Sequence, residues 1–219
     1  MAIEGSPVRH RAFGQDHEPS TVDRFGTWLS SRRFRRSAGS LVGKRVADIG
    51  CGYRALFART LLDEVDRLLL LDVALDPRLA PHPKVAVIEG SLPEALDAVS
   101  DRSQDVVICN SVLEHLWEPG VTLQALFRIL APSGTLFVNV PSWRGKRLLE
   151  FSAFRLGTSP ADEMDDHKTY YDPRDLWPCL VRAGFRPRDI RCRRHKFGLN
   201  TYAVCRKPGG YGSPAAGEA

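Results

Sequence analysis

Long apolar runs are missing from this sequence of 219 residues. A helix that spans a membrane needs about 18 or more consecutive apolar residues, and no such stretch occurs here. Residues 1–19 are polar and lack the basic region followed by an apolar one that secretory signals share. We therefore expect a cytoplasmic protein without a membrane span.

Cysteine is also scarce. The five cysteines are an odd number and are scattered without a Cys-x-x-Cys pair, at Cys51, Cys109, Cys179, Cys192 and Cys205. This spacing argues against a disulfide framework and against a structural zinc site. No other residues show a metal-ligand spacing, so the sequence predicts reduced, mainly buried thiols and no metal.

Charge of one sign is not in large excess, because 31 Lys and Arg stand against 26 Asp and Glu, for a net charge of +5. Two basic clusters are nevertheless present, Arg32, Arg33, Arg35 and Arg36 in the first and Arg191, Arg193, Arg194 and Lys196 in the second. Such clusters are either solvated faces or peripheral contacts for anions such as phosphate. Only Phe34 is aromatic within the first cluster, which argues against a nucleic-acid partner.

Strand and helix patterns alternate from residue 45 to about residue 140, which predicts one α/β domain built on a parallel sheet. The predicted strands are Arg45–Ile49, Arg67–Leu71, Lys84–Ile88, Asp105–Cys109 and Thr135–Val140. The predicted helices between them are Ala55–Asp63, Leu92–Val99 and Val121–Leu130. The strands are nearly continuous in apolar character, as is typical of strands buried on both faces.

The flanking regions have other patterns. A cap helix is predicted within residues 20–40, and a lid insertion within about 143–171. A further helix over Pro173–Ala183 precedes two strands, Arg188–Phe197 and Asn200–Arg206, whose short connection requires antiparallel pairing. The domain thus covers 20–208, between a flexible N-terminal segment at 1–19 and a disordered tail at 209–219.

The most informative stretch is Val46–Arg54, where an apolar strand runs into Gly50 and Gly52 and then into a helical pattern. Glycine lets a backbone approach a bound ligand closely. Twenty residues after Gly52, a second apolar strand ends at Asp72, whose carboxylate can accept hydrogen bonds from the hydroxyls of a ribose. The pair predicts a nucleoside-containing cofactor at the carboxyl edge of the sheet. The same glycines also satisfy the looser G-x-G-x-x-A pattern of nicotinamide enzymes.

Several segments in the right order resemble the class I S-adenosylmethionine-dependent methyltransferases, in particular the methyltransferase type 11 group. They are Val46–Gly52, Asp72, Glu89–Pro93, Asp105–Leu116 and Leu130–Leu136. The resemblance implies a Rossmann-like three-layer sandwich with a mostly parallel seven-stranded sheet and a C-terminal antiparallel strand. It also implies S-adenosylmethionine as the cofactor, with Asp48, Gly50 and Gly52 at its methionine part, Asp72 and Val73 at its ribose, Ser91 and Leu92 at its adenine, and Asn110 at its sulfonium end.

Two residues depart from the family pattern. Arg54 stands where a third glycine is common, and Ser91 stands where an acid often lies near the adenine. Two alternatives therefore remain beside the methyltransferase, namely an NAD(P)-dependent oxidoreductase and a methyltransferase-like domain that binds without turnover. The antiparallel strands at the C-terminus favour the methyltransferase, because a dinucleotide fold continues with a second parallel half.

Methyl transfer requires a nucleophile aligned with the methyl group and, for a hydroxyl, removal of its proton. His115 and His167 are the predicted bases, although the first can simply cap its loop and the second can anchor the lid. Trp143, Tyr170 and Tyr171 are predicted to line the acceptor pocket, with core packing as the alternative. The expected acceptor is a hydroxyl or amine of a small molecule or of a glycan or lipid precursor.

Overall fold

The structure is a computed structural model that describes residues 11–16, 21–146 and 167–209. Seven strands form one sheet in the order β3-β2-β1-β4-β5-β7-β6. Their bounds are β1 Arg45–Ile49, β2 Arg67–Asp72, β3 Val85–Glu89, β4 Gln104–Asn110, β5 Leu130–Pro141, β6 Ile190–His195 and β7 Asn200–Arg206. Strands β1 to β5 pair in parallel, and β7 pairs antiparallel with both β5 and β6. The predicted Rossmann-like architecture is confirmed.

Two hydrophobic clusters cover the two faces of the sheet because side chains alternate along each strand. On one face, Leu69 and Leu71 of β2 pack in the cluster that holds Leu126 and Leu180. These two leucines belong to the helices α2 (Pro119–Ile129) and α3 (Pro173–Arg182). On the other face, Leu68 and Leu70 belong to the cluster that includes Phe34 of helix α1 (Thr21–Ala38).

Two of the predicted helices are only short 3₁₀ turns, Ala58–Leu61 and Glu94–Ala98. Ala55 has a positive φ of 45°, so a regular helix cannot begin where the pattern predicted one. Hydrogen bonds that span three residues occur in both segments, as in Thr60 N to Phe57 O and Val99 N to Leu96 O, and each segment has one bond that spans four, Arg59 N to Ala55 O and Ala95 N to Ser91 O. Only α2 forms a long crossover helix between two of the parallel strands.

Strand β5 is longer than predicted because it begins at Leu130, directly after α2. The stretch Ala131–Gly134, which lies between the predicted helix Val121–Leu130 and the predicted strand Thr135–Val140, belongs to this strand. The register with β4 shifts between Gln104 and Val106. Edge strand β3 is largely exposed, which differs from the expected burial on both faces, because only one neighbour covers an edge strand.

The predicted lid falls mostly on 147–166, which lies outside the described residues, as do most of the N-terminal segment and residues 210–219 of the tail. Within the described ranges, no helix combines the length and apolar character that crossing a membrane requires. All five cysteines are free thiols, two of them buried.

Candidate active site

The glycine turn after β1 is held by the end of β2. The backbone N–H of Gly50 donates to Leu71 O over 2.7 Å. The two oxygens of the Asp72 carboxylate accept from the N–H groups of Gly52 and Val73, over 2.7 and 2.8 Å. Asp72 therefore fixes the glycine turn. It is also the residue that the sequence predicts as a ribose contact.

Both glycines adopt positive φ angles, 72° at Gly50 and 76° at Gly52. A Cβ atom on Gly50 would lie 2.2 Å from Cγ2 of Val112, and one on Gly52 would lie 3.2 Å from the carbonyl oxygen of Phe13. Tyr53 N also donates to that Phe13 oxygen over 2.9 Å. The glycines are thus required by the close approach of other parts of the protein, a reason that the sequence did not indicate.

Asp48, near the end of β1, is 3% exposed. Burial raises the pKa of its carboxyl to about 7, and the neighbouring Asp72 contributes in the same direction. A cation bound beside this carboxyl would stabilise its ionised form.

A cleft of about 1340 Å³ lies at the carboxyl edge of the sheet, below α1. Six of the predicted site residues line it, namely Asp48, Gly50, Gly52, Asn110, His115 and His167. Arg54, which replaces the common third glycine, also lines it. Asn110 is oriented by Asn139, whose Nδ2 donates to its Oδ1 over 2.9 Å. The tertiary structure therefore brings the glycine turn and both histidines to one cavity.

The four residues predicted at the ribose and adenine, Asp72, Val73, Ser91 and Leu92, do not line this cleft. Asp72 ends β2, and Val73 follows it. Ser91 and Leu92 come directly after β3 and are partly buried, and Leu92 packs against the core. The four positions thus follow the edges of β2 and β3, next to the turn that Asp72 holds.

His115 and His167 contact each other, with ring centroids 4.8 Å apart. Glu114, which is 1% exposed, joins them, because one ligand atom of each of the three side chains lies within 4.8 Å of the others. The chain around His167 is fixed to the 3₁₀ turn Leu113–His115 by Lys168 N, which donates to Glu114 O over 2.6 Å. We refer to Glu114, His115 and His167 as the acid–histidine cluster.

The three predicted aromatic pocket residues have different surroundings. Tyr171 is 5% exposed and packs in the core, and its hydroxyl donates to Leu113 O over 3.4 Å. The prediction that it lines the pocket is therefore wrong. Tyr170 is also buried, and its hydroxyl lies 3.1 Å from Nδ1 of His167. Trp143 is exposed and donates through Nε1 to Asp175.

The first basic cluster is divided by the structure. Arg33 places its guanidinium 5.3 Å from the ring centroid of Tyr202, on the sheet. Arg35 donates to Thr60 O over 2.8 Å and pairs with Glu64. These contacts tie α1 to the domain, and the anion contact of this cluster stays a prediction. Arg24, Arg32, Arg35 and Arg36 line the cleft.

Glu114, Lys196 and Phe13 are among the cleft residues that the sequence did not indicate as site residues. Glu114 was visible only as the neighbour of His115. Lys196 follows β6, has a positive φ of 49° and lines the cleft. Burial lowers the pKa of its ammonium group to about 8, although the negative charge of Glu114 acts in the opposite direction. Phe13 covers the glycine turn from a distant part of the chain, and no local pattern signals that contact.

The chain was compared with known protein families. Residues 20–190 match a family model described as "Methyltransferase domain". The match includes the glycine turn, the acid–histidine cluster and the three α-helices of the described residues. It covers far more than half of the chain.

Among curated proteins, a probable S-adenosylmethionine-dependent methyltransferase from Mycolicibacterium smegmatis is 29% identical over 169 residues, which are 76% of this chain and 61% of that protein. The chain thus spans less than two thirds of this relative. A ubiquinone biosynthesis O-methyltransferase from Vibrio cholerae is 27% identical, over 76% of this chain and 71% of that protein.

Solved structures agree in fold. A SAM-dependent methyltransferase from Archaeoglobus fulgidus has a TM-score of 0.62 at 19% identity, with 83% of this chain and 94% of that chain covered. A Burkholderia thailandensis 1,6-didemethyltoxoflavin-N1-methyltransferase with bound S-adenosylhomocysteine also has a TM-score of 0.62 at 19% identity, with 85% and 80% covered. The chain belongs to the methyltransferase domain family, among the class I enzymes that use S-adenosylmethionine.

Proposed function

We propose that the protein transfers the methyl group of S-adenosylmethionine to a hydroxyl or amine of a small molecule or of a glycan or lipid precursor. The observation that carries this proposal is the position of His115 and His167 in the same cleft as Asp48 and Gly50. An acceptor held against the two imidazoles would face a methyl donor held at the glycine turn. The O-methyltransferases among the relatives support a hydroxyl acceptor.

The proposed cofactor contacts follow the edge of the sheet. Asp48, Gly50 and Gly52 contact the methionine part, and Asn110 contacts the sulfonium end. Asp72 and Val73 hold the ribose, and Ser91 and Leu92 flank the adenine. The Asp72 carboxylate can take this role while it holds the turn, because each of its oxygens has a second lone pair for a ribose hydroxyl.

Methyl transfer is an in-line displacement, in which the acceptor atom attacks the methyl carbon and the carbon–sulfur electron pair stays on sulfur. The main task of the protein is to align the two reactants. For a hydroxyl, a group beside the acceptor must also favour loss of the proton. We assign this activation to His115 and His167.

The arginines of α1 support an acceptor that carries a phosphate or carboxylate. Arg24, Arg32 and Arg36 line the cleft, and the guanidinium group is suited to binding such anions. An anionic substituent would hold the acceptor near α1 while its hydroxyl faces the histidines.

The cofactor is tested by calorimetry on the full chain with S-adenosylhomocysteine and with NADH. We expect binding of the first and none of the second, and the reverse would support the oxidoreductase alternative. Acceptors that differ in hydroxyl, amine and anionic groups are then incubated with S-adenosylmethionine labelled in its methyl group. Cofactor binding without transfer to any acceptor would favour a binding domain.

For His167→Ala we expect kcat to fall by about 100-fold, in the range that proton removal contributes, while affinity for S-adenosylhomocysteine stays within about twofold. His82→Ala is the matched control, because His82 is exposed and absent from the cleft wall. If both variants turn over equally fast, His167 has no part in the reaction.

A further inference from the structure

We propose that Glu114, His115 and His167 bind a divalent first-row transition metal ion, and that this ion activates the acceptor hydroxyl. The inference rests on the proposed methyl transfer and specifies how the two histidines act. It also replaces two expectations of the sequence analysis, a histidine base and the absence of a metal.

The first argument is distance. One ligand atom from each of the three side chains lies within 4.8 Å of the other two. An ion bound at about 2.1 Å from nitrogen and oxygen ligands holds them about 3.0–3.4 Å apart. The three atoms therefore need to approach one another by less than about 2 Å, and each stands at the end of a rotatable side chain.

The second argument is the way in which the ligands are held. His167 places Nδ1 3.1 Å from the hydroxyl of Tyr170. Ligating histidines usually bond through the other ring nitrogen to a partner that fixes their orientation. Lys168 N and Thr169 N both reach Glu114 O, over 2.6 and 3.4 Å, so the segment that carries His167 is attached to the residue that supplies the carboxylate.

The third argument is the donor set. Two imidazoles and one carboxylate suit zinc, iron, cobalt, nickel or manganese better than magnesium or calcium, which prefer oxygen ligands alone. Three protein ligands leave positions open for a substrate. Because His115 and His167 line the cleft, these positions face the acceptor.

The chemistry follows from the charge of the ion. A hydroxyl bound to a divalent ion has a lowered pKa and releases its proton to water near neutral pH. The oxygen then attacks the methyl carbon, the carbon–sulfur bond breaks with its electron pair on sulfur, and the products are the methyl ether and S-adenosylhomocysteine. No oxidation or reduction takes place.

The test uses the full chain, treated with a chelator and then titrated with Co²⁺ and with Zn²⁺. We expect one equivalent of either ion to bind, and Co²⁺ to give visible d–d absorption without a sulfur-to-cobalt charge-transfer band. His115→Ala and His167→Ala should each weaken binding at least tenfold, and Tyr170→Phe should weaken it by about tenfold through lost orientation. Both ligand variants change partly exposed residues, so they are preferred to a change at buried Glu114.

His82→Ala is the control and should bind like the parent protein. Equal affinity in the parent and in the double variant His115→Ala/His167→Ala would overturn the proposal. A charge-transfer band would also overturn it, because it would show ligation by a thiol such as that of Cys51, which lines the same cleft.

Binding of S-adenosylhomocysteine by the metal-free protein is measured in parallel. A protein that binds this ligand but no metal loses only the metal proposal, whereas failure to bind the ligand contradicts the proposed function.

Discussion

Asp48 is a buried carboxyl whose charge depends on what lies beside it. Burial and the nearby Asp72 raise its pKa to about 7, so the free protein holds part of it protonated near neutral pH. S-Adenosylhomocysteine carries a positive α-amino group, which favours the ionised carboxylate. Ligand binding at Asp48 should therefore release a proton.

We predict that S-adenosylhomocysteine binds more tightly as the pH rises from about 6 to about 8. Below the pKa of Asp48 the dissociation constant should fall by up to about tenfold per pH unit, and it should level off above that pKa. Calorimetry in buffers of different ionisation heats measures both the affinity and the released proton. In Asp48→Asn, the dissociation constant should still vary with pH through titration of the ligand itself. The tenfold change per pH unit below the pKa of Asp48 should disappear. The same pH profile in both proteins would show that Asp48 does not sense the ligand.

At the scale of residues, the sequence identified those whose role is set by the local chain. Gly50, Gly52 and Asp72 follow two strands whose carboxyl ends meet at one edge, and the structure places them together. Tyr170 and Tyr171 show the limit. Adjacent residues of an irregular segment have no period that tells which side chain faces the core, so packing alone decides that the hydroxyl of Tyr171 reaches Leu113 O and that of Tyr170 reaches His167.

Among the elements, α1 forms one wall of the cleft although it precedes the sheet in the chain. Phe34 is 3% exposed and makes edge-to-face contacts with Phe57 and Phe137, at centroid distances of 5.3 and 4.8 Å. Phe57 follows the glycine turn, and Phe137 belongs to β5. The packing of one ring therefore joins α1 to the segment after the glycine turn and to β5.

We predict that Phe34→Ala lowers the free energy of unfolding by about 3–5 kcal/mol, as expected for loss of a buried aromatic ring. Phe25→Ala is the matched control on the same helix, because Phe25 is 57% exposed, and its effect should stay within about 0.5 kcal/mol. Urea denaturation of both variants gives the comparison. Similar effects at the two positions would mean that α1 does not pack as described.

The elements themselves were predicted unevenly. Helix α3 was predicted almost to the residue, because Asp172 and Asp175 form a capping box at its start and Pro173 occupies its first turn. The segments after β1 and β3 were predicted as helices, but they form 3₁₀ turns. The apolar spacing of both segments is helical. In the first segment the backbone has to follow Ala55 at positive φ, and apolar periodicity carries no information about that angle.

For the whole molecule, the placement of β7 is decisive. This last strand enters the sheet between β5 and β6, so the end of the chain completes the core. Ala203 and Cys205 are fully buried there, in the same cluster as Cys109 of β4. The C-terminal strands and the cofactor-binding half therefore share one core.

We predict that this core unfolds as one unit. Cys109 and Cys205 are both 0% exposed, and burial raises the pKa of each thiol, so neither reacts while the protein is folded. Under native conditions both should be alkylated at the same slow rate, that of global unfolding, whereas partly exposed Cys179 should react earlier. Mass spectrometry after iodoacetamide treatment measures each site. Faster labelling of Cys205 than of Cys109 would show that the C-terminal strands open separately.

The sequence by itself determined the class of fold, the order of the parallel strands along the chain and the glycine turn with its acid, because each depends on patterns within a few residues or on the fixed geometry of parallel strands. Only the tertiary structure decided which side chains line the cleft. Glu114, His115, His167 and Lys196 come from three separate segments, and their meeting depends on how these segments pack across the sheet edge. The acid–histidine cluster thus arises from long-range packing, and the spacing of its residues along the chain does not reveal it.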